Sequence, residues 1–117
     1  MSNQRYDIYE RIFKLIVSVI KFVRSLPHNE ESIVVIRQIL RSVTSIGANS
    51  QEADGVSSKK DFLHCLTIVR KEAKETLFWL RLIIELYPTT KINGEKLVNE
   101  CQEIVAIVSK IISKTKS

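Results

Sequence analysis

Ser45-Ile46-Gly47-Ala48-Asn49-Ser50-Gln51-Glu52-Ala53 decides how this chain is read. Its apolar residues recur at helical spacing, yet small and polar residues stand where a plain core helix would carry Leu or Ile. A second stretch, Lys71-Glu72-Ala73-Lys74-Glu75-Thr76, likewise sets charges beside an apolar stripe. Two polar helical segments that must each face something, in a chain with no recognisable catalytic set, predict a scaffold and not an enzyme.

The first stretch lies in a helix predicted over 30–54. Glu30 and Glu31 suit its positive end. Ile33, Ile36, Leu40, Val43 and Gly47 keep the 3-4-3-4 spacing of a packing seam. Gln38, Arg41, Ser45, Asn49 and Glu52 fall within about a quarter of the helix circumference. Such a stripe is usually a solvated face, but this one is short and neutral in its middle. Gly47 and Ala48 permit close approach of another helix, and Gly55 is placed for a left-handed C-cap.

Upstream, a helix is expected over 7–25, with Asp7 as N-cap and Ile8, Ile12, Leu15, Ile16, Val19 and Val23 on its core side. Phe13, Val17 and Ile20 form a second apolar flank. Leu26-Pro27-His28-Asn29 ends it, because proline cannot continue the hydrogen-bond ladder.

Downstream, Ser57 or Ser58 caps a helix over 58–87, with Asp61 as capping-box partner. Phe62, Leu66, Val69, Ala73, Thr76, Leu80, Ile83 and Tyr87 form one seam. A neighbouring stripe of Cys65, Ile68, Trp79, Ile83 and Leu86 is interrupted by Glu72, with Glu75 beside it. Carboxylates there need partners, since burying an unpaired charge is strongly unfavourable. Arg41, Ser45 and Asn49 are the candidates, so a side-chain network of Arg41, Ser45, Asn49, Glu52, Glu72 and Glu75 is expected between the second and third helices. After a turn over 88–94, a last helix over 95–113 carries Leu97, Cys101, Ile104, Val108 and Ile111 as its seam. Val98, Val105 and Ile112 form its second seam, and Lys110, Lys114 and Lys116 sit towards its negative end.

Four helices with short connections predict an all-α fold, an antiparallel up-down-up-down four-helix bundle forming one domain over 1–117. Hydrophobic content of 44% with three Gly and two Pro agrees with helix. Apolar arcs wider than one seam on the first, third and fourth helices predict self-association in a ring. A groove for a partner protein's helix is the competing explanation.

The net charge of +5 and pI near 9.4 favour an acidic partner, RNA or DNA among them, but also lie within ordinary solubility. Cys65 and Cys101 are the only cysteines, and the polar start Met1–Asp7 lacks the apolar core of a secretory leader, so a cytoplasmic protein with reduced thiols is expected. No apolar run approaches a membrane span.

The two cysteines and the distant His28 and His64 lack zinc-site spacing, and no phosphate loop or nucleophile elbow occurs, so neither cofactor nor metal is expected. Glu72 and Glu75 alone cannot make a di-metal bundle site, which also needs Glu-x-x-His pairs. Arg24 and His28 faintly resemble the paired Arg and His of an RNA-cleaving helical toxin, but the spacing is short and lies in a proline turn. His64 reads as a surface residue.

Basic residues clear of the seams are Lys14, Lys21, Arg24, Lys59, Lys60, Arg70, Lys74, Arg81, Lys110 and Lys114. Taken singly they are ordinary solvated cations. Together they predict phosphate-directed, salt-dependent binding with little sequence reading. No aromatic stacking platform accompanies them.

Tyr6-Asp7-Ile8-Tyr9-Glu10-Arg11, Leu26-Pro27, Arg41 to Asn49 with Glu52-Ala53, Ser58-Lys59-Lys60-Asp61-Phe62 and Lys71 to Leu80 carry a family resemblance. In order and spacing, over roughly Tyr6 to Tyr87, the chain resembles the four-helix-bundle proteins encoded in intervening sequences of bacterial 23S ribosomal RNA genes. Ser50 and Gln51 depart from that pattern, where an aromatic or aliphatic residue and then a small or charged one are expected. The resemblance implies a cyclic homo-oligomer, a pentamer, whose charge would reach about +25. It also implies kinship with the accessory protein of diversity-generating retroelements, a basic pentameric bundle that binds nucleic acid and a reverse transcriptase. Two functions follow: an oligomeric nucleic-acid-binding protein, or a protein-interaction scaffold using surplus apolar surface. Hydrolysis is a distant third.

Overall fold

The structure, a computed structural model, describes residues 4–117, with side chains from residue 8 onward. Its helices are α1 (Gln4–Arg24), α2 (Glu30–Gly55), α3 (Lys59–Leu86) and α4 (Lys91–Lys116), with one 3-10 turn at Pro88–Thr90. Both α1 and α3 pack against α2 and α4, and the diagonal pairs do not meet. The result is an antiparallel up-down-up-down bundle of 45 × 24 × 19 Å. Its long dimension is what the 28 residues of α3 require at about 1.5 Å per residue.

The helix ends follow local chemistry, and three of them differ from expectation. α1 begins at Gln4, so Asp7 stands inside the helix and is not its N-cap; the Asp7 side chain lies outside the described residues. α2 starts with a reciprocal capping box: Asn29 Oδ1 accepts from the Ser32 N–H at 2.9 Å, and Ser32 Oγ accepts from the Asn29 N–H at 2.9 Å. Gly55 does not adopt the left-handed cap, because α2 leaves through extended Val56 at φ −88°, ψ 151°. Only three residues then separate α2 from α3, and Ser58 Oγ accepts from the Asp61 N–H at 3.0 Å to start the next helix.

The largest difference is at α4, which starts at Lys91 and not at 95. Pro88 presets the backbone of a 3-10 turn, and the Lys91 N–H closes it on the Pro88 carbonyl, so the chain runs directly into α4. Gly94 is therefore a packing residue and not a turn residue. A Cβ there would stand 2.6 Å from Ile84 Cγ1 and 3.4 Å from Phe22 Cζ.

Ile8, Ile12, Leu15, Val19 and Val23 of α1 are buried, as is the α3 seam from Phe62 to Ile83. Cys101, Ile104, Val108 and Ile111 of α4 join them. The seam of α2 corrects the sequence reading. Ser32, Val35, Ile39, Ser42, Val43, Ile46, Ser50 and Ala53 face the core, while Ile33 is 43% exposed and Ile36 and Leu40 are only partly buried. Ile33, Ile36, Leu40 and Gly47 occupy the flank turned to α1, where a Cβ on Gly47 would stand 2.5 Å from Ile16 Cδ1. Three serines fit the core because each hydroxyl is satisfied. Ser42 Oγ donates to the Ile39 carbonyl at 3.2 Å, Ser50 Oγ to that of Gly47 at 2.9 Å, and Ser32 serves the cap.

Between α2 and α3, Ser42 Oγ meets Thr76 Oγ1 at 2.8 Å, and Thr76 Oγ1 donates to the Glu72 carbonyl at 2.9 Å. Above this pair, Arg41 Nη1 donates to Glu72 Oε1 at 3.3 Å and Nη2 to Glu75 Oε2, which also accepts from Trp79 Nε1 at 3.1 Å. Gln38 Oε1 accepts from Arg41 Nε at 3.3 Å. Glu72 is 8% exposed and so depends on this cation. Ser45 and Asn49 do not reach α3: Asn49 Nδ2 donates back to the Ser45 carbonyl at 2.9 Å. Glu52 is exposed at the outer end of α2.

Replacing Arg41 by Ala leaves Glu72 buried without its cation. Because Arg41 itself is exposed, the expected loss in a denaturant titration is about 1–3 kcal/mol. Arg37→Ala, at an exposed site without a partner among the described residues, should stay within about 0.5 kcal/mol. Trp79, the only tryptophan, should change its emission in the first variant and not in the second. The buried Cys101 thiol, 3.3 Å from the Ala73 carbonyl, is pushed up from 9.0 to about 12, chiefly by burial and then by Glu100. Above pH 9 the unfolded chain releases this proton and the folded one keeps it. Stability should therefore fall between pH 9 and about 12, by up to about 1.4 kcal/mol per pH unit more than in Cys101→Ala.

Candidate nucleic-acid interface

The charge is unevenly shared among the helices. α1 carries five basic and two acidic residues, α3 six and four, and α4 five and three. α2 alone is acidic, with two basic and four acidic. Within the described side chains only Arg11 and Arg41 form ion pairs. Arg11 bridges α1 to α4, with Nε 2.9 Å and Nη2 2.8 Å from the Glu100 carboxylate, and Nη2 also 2.8 Å from Glu103. The hydrogen bond to Glu100, then that to Glu103, raises the guanidinium pKa further above its ordinary value.

The ten basic residues singled out from the sequence all point to solvent, with Arg70 half-buried. Arg70, Lys74 and Arg81 share one stripe of α3, about 160–180° around the helix from Glu72. They are therefore on the side turned away from α2. Lys59 and Lys60 open α3 at the end of the bundle where Lys110 and Lys114 close α4. Lys14, Lys21 and Arg24 lie on α1, with Lys21 lining a cleft between α1 and α4.

Lys96 lines that same cleft and was not singled out from the sequence. Placing the start of α4 at 95 puts Lys96 at a helix end; the true start at Lys91 carries it one turn inward, opposite Lys21. Its helical neighbour at i+4, Glu100, is held by Arg11, so Lys96 keeps its charge free for another partner.

Large apolar side chains are exposed as well, Phe78 between Lys74 and Arg81 on one face of α3 and Ile92 one turn before Lys96 on α4. Phe13 is 63%, Phe78 57% and Ile92 75% exposed. The Phe78 and Trp79 rings meet edge to face, with centroids 4.8 Å apart. Phe13 and Tyr9 overlook a cleft of about 200 Å³ between α1 and α2, in which Gly47 and Ala48 contribute small residues. No group of three or more metal-ligating side chains occurs among the described residues. No helix of the described residues is long and apolar enough to cross a membrane.

Among solved structures, a protein of unknown function from Bacteroides thetaiotaomicron, assigned to the S23 ribosomal protein family, superposes with a TM-score of 0.86. It is 33% identical over 95% of this chain and 99% of its own. A comparison with curated proteins finds no match. Residues 4–110 match the family described as 23S rRNA-intervening sequence protein. With that match covering most of its length, the chain belongs to the 23S rRNA-intervening sequence protein family.

Proposed function

We propose that this chain is a non-enzymatic cytoplasmic protein that assembles as a homo-oligomer, a pentamer by family resemblance, and binds the backbone of RNA or DNA through its basic exterior. The observation that carries the reading is the pattern of unpaired cations. All ten candidates lack an ion pair among the described residues, and they lie on α1, α3 and α4, while the one acidic helix is α2. Had these cations served the fold, they would be laced to the carboxylates that α3 and α4 also carry. Their freedom suits ligands that release counterions from phosphates. Exposed Phe13, Phe78 and Ile92 are the apolar surface that such an assembly would cover.

A second reading, a protein-interaction scaffold, draws on the α1–α2 cleft beside Phe13. It replaces the first if the oligomer forms and nucleic acid does not bind.

Light scattering with and without structured RNA separates the two. The free protein should scatter as several copies. At 50 mM salt it should bind RNA, and at 200 mM the affinity should fall by roughly 10³–10⁵ if 6–10 phosphates are contacted. An intact oligomer that ignores RNA at 50 mM salt overturns the nucleic-acid reading.

A further inference from the structure

The cleft between the end of α1 and the first turns of α4 has a volume of about 480 Å³. Its polar lining is Ser18, Lys21 and Ser25 from α1 with Asn93 and Lys96 from α4. Phe22 and Leu97 supply apolar surface. No carboxylate lines it. That is notable in a chain with 13 acidic residues, three of them on α4.

The donors in the cleft are unused. Ser18, Lys21, Asn93 and Lys96 have no hydrogen-bond or ion-pair partner among the described residues. Ser25 differs, because its hydroxyl donates to the Phe22 carbonyl at 2.6 Å. Two lysines, a serine and an asparagine with unpartnered polar side chains therefore line one open volume. Such a set matches a ligand group with several acceptor oxygens and negative charge. Arg11 completes the arrangement from a distance. By holding Glu100 it engages the carboxylate one helical turn beyond Lys96.

We propose that the α1–α4 cleft is a phosphate-binding site, in which Lys21 and Lys96 balance the charge and Ser18 and Asn93 donate to the oxygens. The cleft is open to solvent and roomy enough to admit a phosphate ester, with Phe22 and Leu97 as its apolar wall. The site deepens the nucleic-acid reading and rests on it for a polymeric ligand. The same chemistry accepts a phosphate on a free mononucleotide.

The test follows backbone amide signals by NMR in the whole protein while inorganic phosphate, adenosine monophosphate and a short single-stranded RNA are added separately. Signals of Ser18–Ser25 and Asn93–Leu97 should shift with all three. They should stop shifting in Lys21→Ala/Lys96→Ala and persist in Lys71→Ala/Lys116→Ala, which removes the same charge away from the cleft. RNA affinity should fall at least about tenfold in the cleft variant. Both lysine pairs are exposed, so both variants should keep their helical circular dichroism. If phosphate and nucleotide shift the cleft signals but RNA does not bind anywhere, the site stands, its ligand is the free phosphate ester, and the nucleic-acid reading fails. If RNA binds equally to wild type and cleft variant, the site is overturned while the nucleic-acid reading survives; if the cleft signals do not respond to phosphate, the site is overturned whatever RNA does.

Discussion

The close approach of α2 and α3 is the constraint on which the rest of the bundle depends. It is made by small residues: Ser42 faces Thr76, and Ala73 lies one turn away on the α3 seam. A hydroxyl in a dry interface is unfavourable unless satisfied. Here Thr76 donates to the Glu72 carbonyl at 2.9 Å, and Ser42 has both Thr76 Oγ1, at 2.8 Å, and the Ile39 carbonyl, at 3.2 Å, as acceptors for its one proton. The pair therefore adds little net stability and a great deal of register. Sliding α3 by one turn would set Ser42 against Ala73 or Leu80 and carry Glu72 and Glu75 away from Arg41. Arginine suits that position because one planar guanidinium can address both carboxylates, which a lysine ammonium could not do with the same geometry.

Legibility in the sequence followed the chemistry of each element. The α3 seam could be read directly, since its apolar residues repeat without ambiguity and end at Pro88. The partnership of Arg41 with Glu72 and Glu75 could be anticipated from charge burial alone. Ser45 and Asn49 could not be assigned, because short polar side chains have a nearby backbone carbonyl to choose instead, and Asn49 takes it. The α2 seam was displaced for the same reason. Hydrophobicity alone selects Ile33, Ile36 and Leu40, whereas the core takes Ser32, Ser42 and Ser50, whose hydroxyls are hidden by local hydrogen bonds. Gly94 misled in the opposite direction. Glycine after a proline reads as a turn, and only the approach of Ile84 and Phe22 shows that it marks a packing contact.

The candidate site was half legible. Exposed lysines can be listed from sequence, but which of them remain unpaired depends on partners brought from other helices. Arg11 is the example: 89 residues separate it from Glu100, and its hold on that carboxylate leaves Lys96 without its helical partner. Lys96 and Lys21 then face one cleft for a reason that no local pattern contains.

The same electrostatics bears on assembly. Copies that each carry +5 repel one another, so the proposed ring needs apolar contact and unlike charge to close. Apolar side chains exposed on α1, α3 and α4 supply the first. α2 supplies the second, since it alone has more acidic than basic residues and also exposes Ile33 and Val34. Cations on α3 and α4 turned away from α2 would then remain at the outside, where a long polyanion can reach several subunits at once. Linked contacts of that kind multiply weak affinities, so an oligomer need not bind phosphate tightly at any single subunit to hold a nucleic acid.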